Sequence, residues 1–269
     1  LPPFASGGMR DTSGAPTPKR QKRSALPDLD PTLFGPSEPA QESAAADLAC
    51  GRAHRRVAHV VGQFPSHVFV PLAPSDAATA LMRAGTALLD TLNGVDLGPL
   101  LHDRTFEPVP RTALHVSLSR DFVLFRDVLD PFCAALRDGL ASALRFAFTV
   151  DVARASVFAN DDGTRLFLAF RVAAGAPHLQ HLVRDVVDPL LARFGAAEPY
   201  HADCTMHVTV ASAVPCRAVD ASALAALQAC VDGALSCLPS DEVEGSVVHA
   251  EARAVHCKRG DRCFVVNLN

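Results

Sequence analysis

The chain has 269 residues, of which 49% are apolar, and a formal net charge of −4 at pH 7. That length and apolar content suffice for one large domain or two small ones with a buried core. No run of about 18 or more apolar residues is present, and the N-terminal region lacks the layout of a secretory signal, so neither membrane insertion nor export is expected. Because the sequence begins with Leu1 rather than Met, an upstream segment is expected.

The eight cysteines are scattered without a CxxC pair, which predicts reduced thiols in an intracellular protein. A zinc site is an alternative for His249, His256, Cys257 and Cys263. Their spacing fits no common ligand framework, and the segment alternates as a strand does. We therefore expect no metal and no other cofactor.

Residues 1–56 are rich in Pro, Gly, Ser and Ala and have few large apolar side chains, which predicts a disordered tail. Within this tail, residues 18–23 read PKRQKR, a basic cluster typical of nuclear import or loose nucleic-acid contact. A merely solubilising patch is the alternative. The folded domain is expected to cover residues 57–269.

The charge is uneven along the chain. The tail carries eight Lys and Arg against six Asp and Glu, which leaves seventeen against twenty-three for the rest. A long basic track along a nucleic-acid backbone needs many cations and is not expected here. If RNA is the substrate, the protein should bind only its end.

Hydrophobic periodicity predicts mixed strands and helices after the tail. Strands are predicted at residues 67–72, 114–119, 146–152, 156–158, 165–172 and 206–211, with a closing hairpin at 246–256 and 262–268. Helices are predicted at residues 75–92, 130–144, 178–194 and 221–235. Adjacent strands joined by short turns favour antiparallel sheets in an α+β fold with helices on the outer faces. The sequence has neither a GxGxxG nor a P-loop element, which removes the usual grounds for a nucleotide site.

Two of the predicted strands repeat one pattern, LHVSL at residues 114–118 and MHVTV at 206–210. Alternate side chains of a strand share a face, so His115 points with Ser117 and His207 points with Thr209. If the two strands are neighbours, the cleft between them holds two imidazoles and two hydroxyls. One imidazole can remove a proton from a ribose 2′-hydroxyl while the other protonates the leaving oxygen, and the hydroxyls can bind phosphate oxygens, so no metal is required.

A half-buried strand histidine that bonds a neighbouring carbonyl is the alternative for each of these residues. One chance match to the pattern is plausible among eleven histidines, but two matches are much less so. His67 serves as a control, since it opens a predicted strand but has Phe69 where the pattern needs a hydroxyl.

At these residues the chain resembles the two-histidine (2H) phosphoesterase superfamily, whose hallmark is a duplicated His-x-Ser/Thr motif in two pseudosymmetric lobes. Within it, the chain is similar to the Usb family of U6 small nuclear RNA phosphodiesterases over residues 57–269. The similar segments are HVFVP at 67–71, HVSLSR at 115–120, DPF at 130–132, Asn160 with TRLF at 164–167, and HCKRG at 256–260.

The resemblance implies a nuclear 3′-to-5′ exoribonuclease that trims the oligouridine end of U6 RNA and leaves a 2′,3′-cyclic phosphate or a 3′-phosphate. It also implies that His115 and His207 are catalytic and that Ser117 and Thr209 bind the phosphate. Tyr200, the only tyrosine, is implied to stack on the terminal base, with a packing role as its alternative. We expect RNA as the partner, no membrane, and a monomer.

Two other functions share these features. A cyclic phosphodiesterase acting on transfer-RNA halves or small cyclic nucleotides would have the same motifs and a different pocket. An RNA-binding module that has lost catalysis is the second alternative, and the intact pair of motifs argues against it.

Overall fold

The computed structural model describes residues 60–72, 74–197, 199–200, 204–238 and 247–269. The predicted N-terminal tail at residues 1–56 and its basic cluster at 18–23 lie outside the described residues, so both stay predictions. No helix within these ranges is long and apolar enough to cross a membrane.

The described residues form one antiparallel sheet in which the strand order is β10-β9-β1-β3-β7-β6-β5-β8, with β4 beside β1 and β2 beside β7. The strands are β1 (Gln63–Pro71), β2 (Glu107–Pro108), β3 (His115–Ser117), β4 (Phe122–Phe125), β5 (Phe146–Ala159), β6 (Leu166–Val172), β7 (His207–Ala213), β8 (Val247–Ala252), β9 (Ala254–Arg259) and β10 (Arg262–Asn267). The predicted α+β fold is confirmed. The two expected lobes are the two halves of this continuous sheet, and they meet where β3 pairs with β7.

Helices pack against the apolar side of the sheet. They are α1 (Asp76–Leu92), α2 (Leu129–Gly139), α3 (Ala176–Leu182), α4 (Asp188–Arg193) and α5 (Ala221–Cys237). A π-helical turn at Val183–Val187 joins α3 to α4, so the predicted helix at 178–194 is one helical run. α1 begins where the sequence predicts, because the Ser75 hydroxyl accepts a hydrogen bond from the Ala78 amide.

Gly85 allows α1 to lie close to the central strand β7. A Cβ atom at Gly85 would be 3.1 Å from the Cβ of Val210. Val210 is only 1% exposed and its branched side chain has little freedom to move, so a larger residue would push α1 away from β7. This contact supports the strand that carries His207.

The predicted hairpin between β5 and β6 is present. The Gly163 amide donates to the Asn160 carbonyl at 2.9 Å, with Gly163 at a positive φ of 63° that suits glycine. The two strands predicted at 146–152 and 156–158 are one strand, β5, because the chain continues through an irregularity between Asp151 and Ala155 instead of leaving the sheet.

The predicted helix at 130–144 ends early, at Gly139. The next residues bond the far end of the chain instead of extending the helix. The Asn269 amide donates to the Ala143 carbonyl at 3.0 Å, and the Arg145 amide donates to the Asn269 carbonyl at 2.8 Å.

The segment predicted as one strand at 246–256 is divided at Arg253. β8 pairs with β5 at one edge of the sheet, whereas β9 pairs with β1 and β10 near the other edge. A single residue spans only about 3.8 Å. The sheet must therefore curl until its two ends approach each other at Arg253.

Candidate active site

The two predicted histidine motifs lie on neighbouring strands at the centre of the sheet. β3 and β7 pair antiparallel with Val116 opposite Val208. Both valines are fully buried, so the alternate side chains stand on the other face. In this register Ser117 lies across from His207, and His115 lies across from Thr209. The structure thus brings together all four residues that the motifs predict.

Each imidazole is held through its Nδ1 atom by the backbone two residues earlier. Nδ1 of His115 lies 2.6 Å from the Ala113 carbonyl oxygen, and Nδ1 of His207 lies 2.7 Å from the Thr205 carbonyl oxygen. A carbonyl oxygen only accepts, so Nδ1 carries a hydrogen in both rings. Each Nε2 atom is then the one that exchanges a proton with a substrate.

The surroundings of His115 act on its pKa in both directions. Burial lowers the pKa of His115, the bond to Ala113 and the charge of Asp121 raise it, and Lys258 lowers it. Desolvation is the largest of these effects, so the net direction is downward. Asp121 is the one carboxylate among these causes, and it favours the protonated ring.

The surroundings of His207 lower its pKa more uniformly. Burial has the largest effect, the bond to Thr205 opposes it, and the charges of His115 and Arg171 lower the pKa of His207 further. Because the charge of His115 acts on His207, protonation of one ring disfavours protonation of the other. The two rings therefore resist carrying a proton at the same time.

An aromatic ring packs against each of the two imidazoles. Phe158 on β5 stacks on His207, with ring centroids 4.2 Å apart and planes 17° apart. Phe69 on β1 packs on His115 with centroids 5.0 Å apart. Such contacts limit ring rotation, so the free nitrogens keep their direction.

His67 belongs to the site, although it lacks the His-x-Ser/Thr motif. Its Nε2 atom lies 3.1 Å from Ser117 Oγ, and its ring meets the His115 ring edge-on with centroids 5.1 Å apart. The His-x-Ser/Thr motif relates residues of a single strand. In the strand of His67, Phe69 occupies the position of the hydroxyl residue. The contact is made across strands, and no local signal in the sequence points to it.

Two cations flank the histidines and were also missed. Arg171 is the register partner of His207 on β6, and its Nε atom donates to Ser156 Oγ at 2.8 Å. Lys258 on β9 is the register partner of His67. One cation therefore lies in each half of the sheet, on the face that carries the imidazoles.

Tyr200 lies in the connection between α4 and β7. Its amide donates to Asp188 Oδ1 at 2.8 Å. Burial raises the pKa of Tyr200 to about 12, and the charges of Cys204, Arg120 and Asp121 also act on its hydroxyl. Asp121 thus acts on both Tyr200 and His115. The stacking role of Tyr200 remains a prediction.

The described cysteines are free, and the residues that the structure describes contain no group of three or more His, Cys, Asp or Glu side chains placed to hold a metal ion. Cys257 is fully buried in the core, whereas Cys263 Sγ lies 3.5 Å from His256 Nδ1. These residues of the alternative zinc site do not form a ligand cluster.

Solved structures with a similar fold include the Usb1 protein of Kluyveromyces marxianus. It matches with a TM-score of 0.56 and 16% identity over 78% of this chain and 100% of that chain. A second structure of it, with uridine monophosphate, matches with the same TM-score over 76% of this chain and 98% of that chain. At this identity the likeness concerns the fold.

Sequence relatives cover nearly the whole chain. U6 snRNA phosphodiesterase 1 of Bos taurus is 30% identical in an alignment 274 residues long, which covers 99% of this chain and 90% of that protein. The Homo sapiens protein of the same name is 28% identical over 97% of this chain and 92% of its own length. The family model described as "HVSL: Uncharacterised conserved protein" matches residues 32–267. This chain therefore belongs to the HVSL family and is a relative of the U6 snRNA phosphodiesterases.

Proposed function

We propose that this chain is an RNA phosphodiesterase that trims the oligouridine 3′ end of U6 small nuclear RNA by metal-independent catalysis with His115 and His207. The observation that carries the chemistry is the pair of neighbouring imidazoles, each with Nδ1 on a backbone carbonyl and Nε2 left to exchange a proton. The name of the relatives, U6 snRNA phosphodiesterase 1, supports the choice of RNA.

The proposed reaction uses the ribose 2′-hydroxyl beside the scissile phosphate as the nucleophile. One imidazole removes the 2′-hydroxyl proton, the 2′-oxygen bonds to phosphorus, and the bond from phosphorus to the leaving 5′-oxygen breaks. The other imidazole gives its proton to that oxygen. The shortened RNA ends in a 2′,3′-cyclic phosphate, and water can open it to a 3′-phosphate. Ser117 and Thr209 donate to the non-bridging oxygens as charge develops on them.

The surrounding charges support one assignment of the two roles. Asp121 favours the protonated form of His115 against the larger effect of burial, which supports His115 as the acid. His115 and Arg171 disfavour a proton on His207, which supports His207 as the base. The Phe158 ring face works against this assignment, because it would stabilise a cationic His207 by about 0.5–1 kcal/mol. The assignment therefore depends on Arg171.

The charge of the folded part suits binding at an RNA end. Seventeen cations against twenty-three anions after residue 56 do not favour a long backbone track. Stacking of the terminal uridine on Tyr200 would contribute about 1–3 kcal/mol without such a track. We further propose a nuclear monomer, imported through the basic cluster at residues 18–23.

The test is turnover of a uridine-tailed RNA in EDTA, with product ends read by mass. Wild-type protein should shorten the tail, and His115→Ala and His207→Ala should each lower kcat by roughly 100-fold or more while RNA binding is retained. His102→Ala, at an exposed turn, is the matched control and should behave as wild type.

Each other outcome counts against the proposal in a distinct way. Wild-type trimming by both histidine variants would overturn the two-histidine mechanism. Turnover of small cyclic nucleotides with no shortening of RNA would favour a cyclic phosphodiesterase. RNA binding without turnover would favour the inactive binding module.

A further inference from the structure

Ser117 and Thr209 occupy equivalent positions in the two motifs but have different neighbours. Ser117 Oγ lies 3.1 Å from Nε2 of His67, on the strand beside it. The residues directly opposite the two hydroxyls on β1 and β6 are both apolar, Phe69 for Ser117 and Ala169 for Thr209. The bond to His67 is therefore a diagonal contact, and no described residue makes a corresponding bond to the Thr209 hydroxyl. The hydroxyls of Ser117 and Thr209 therefore differ in their hydrogen bonding.

We propose that His67 is a positioning residue that donates its Nε2 hydrogen to Ser117 Oγ, so that the Ser117 hydroxyl hydrogen is free to point at a non-bridging oxygen of the substrate phosphate. This inference rests on the proposed function and names the group that orients its phosphate donor. The Ser117 hydroxyl is then held in one orientation by His67. The Thr209 hydroxyl instead rotates to suit the bound substrate.

The direction of the hydrogen bond follows from what a phosphate can accept. A serine hydroxyl has one hydrogen, and non-bridging phosphate oxygens are acceptors only. If Ser117 gave its hydrogen to His67, it would present only lone pairs to the phosphate, and the two groups would repel. The opposite direction leaves the hydroxyl hydrogen for the substrate.

The surroundings of His67 keep its ring in one protonation state and one orientation. Burial lowers its pKa from 6.5 to about 3, with the charges of His115 and Lys258 adding to the effect, so the ring is neutral and carries one hydrogen at neutral pH. Phe69 stacks on it with centroids 5.3 Å apart and planes 19° apart, and the His115 ring meets it edge-on. These contacts hold Nε2 towards Ser117.

The tautomer can be measured without substrate. Long-range ¹⁵N–¹H spectra of the labelled full chain should show His67 with its hydrogen on Nε2 between about pH 5 and 8. A hydrogen on Nδ1 would overturn the proposal. This readout does not depend on turnover, so it stands apart from a failure of the proposed function, which the histidine variants above detect.

Kinetics test the coupling to Ser117. His67→Phe keeps a ring of similar shape and should lower kcat by on the order of tenfold with little change in KM, as should Ser117→Ala. The double variant should be no slower than Ser117→Ala alone, because both changes remove one interaction. Effects that multiply in the double variant would overturn the proposal.

Two further variants separate positioning from simple packing. His67→Gln keeps an N–H donor in its side-chain amide and should retain more activity than His67→Phe. It also tests the proposal if His67→Phe folds poorly. Thr209→Val combined with His67→Phe should give effects that multiply, because Thr209 does not share the bond. Equal losses in His67→Gln and His67→Phe, with folding confirmed by circular dichroism, would assign His67 a packing role only.

Discussion

Phe158 and His207 lie face to face with ring centroids 4.2 Å apart, although they belong to strands that are not neighbours in the sheet. β6 lies between their strands, so the aromatic ring reaches over it to the imidazole. The stack holds the plane of His207, and thereby the direction of the Nε2 atom that the proposed chemistry uses.

Replacing Phe158 by Leu should keep apolar volume and remove the stack. An aromatic pair contributes about 0.5–1.5 kcal/mol, so kcat on uridine-tailed RNA should fall by roughly 2- to 10-fold. Phe146→Leu is the matched control, because Phe146 on the same strand stacks on His178 with centroids 5.2 Å apart. Equal activity of the two variants would show that the Phe158 stack does not serve catalysis.

Replacing Arg171 by Met should move the acidic limb of the pH profile of kcat/KM to higher pH. Arg171 lowers the pKa of His207 after the larger effects of burial and His115. Its loss should raise that pKa, so the base is protonated, and inactive, at a higher pH. Arg165→Met removes the same charge just before β6 and should leave the limb in place. Movement of the basic limb, with the acidic limb unchanged, would contradict the assignment of His207 as base.

Tyr200→Leu should weaken binding of a uridine-ended RNA by about 1–3 kcal/mol, because a base can no longer stack on the ring. Tyr200→Phe keeps the ring and should bind as wild type, which also controls for the packing of this side chain. The measurement is the Kd of an uncleavable oligouridine. If Leu and Phe variants bind equally, Tyr200 has a packing role.

The free energy of unfolding should fall as the pH is lowered from about 6.5 towards 3. The pKa of His67 is lowered to about 3 in the folded chain from 6.5, so in this window the unfolded chain binds a proton that the folded chain does not. One such proton gives a slope of about 1.4 kcal/mol per pH unit. His67→Phe should show a shallower slope than wild type in urea unfolding at several pH values. Parallel curves for His67→Phe and wild type would contradict the lowered pKa.

The parts of the structure that the sequence predicted are those set by neighbours along the chain. The alternation in β3 and β7 placed His115 with Ser117 and His207 with Thr209, because strand periodicity is local. The cap at Ser75 and the turn at Gly163 have equally local causes.

The contacts that sequence reasoning missed are made between strands. His67 meets Ser117 fifty positions away, and Phe158 reaches His207 only because β5, β6 and β7 pair in a particular register. The division of the predicted strand at Arg253 also has no turn signal in the local sequence. Val247 to His256 alternates without a turn signal, and only the pairing partners show that two strands are present.

The division at Arg253 has a consequence for synthesis of the protein. β9 and β10 come last in chain order among the described strands, yet β9 is the outer partner of β1, the first. During translation β1 keeps an unpaired edge until residues 254–259 have left the ribosome, and unpaired edges favour aggregation. His67 and His115 reach their surroundings, including Lys258, only after that step. The nascent chain should therefore remain without a complete catalytic face, and with one edge of β1 open, until residues 254–259 have been made.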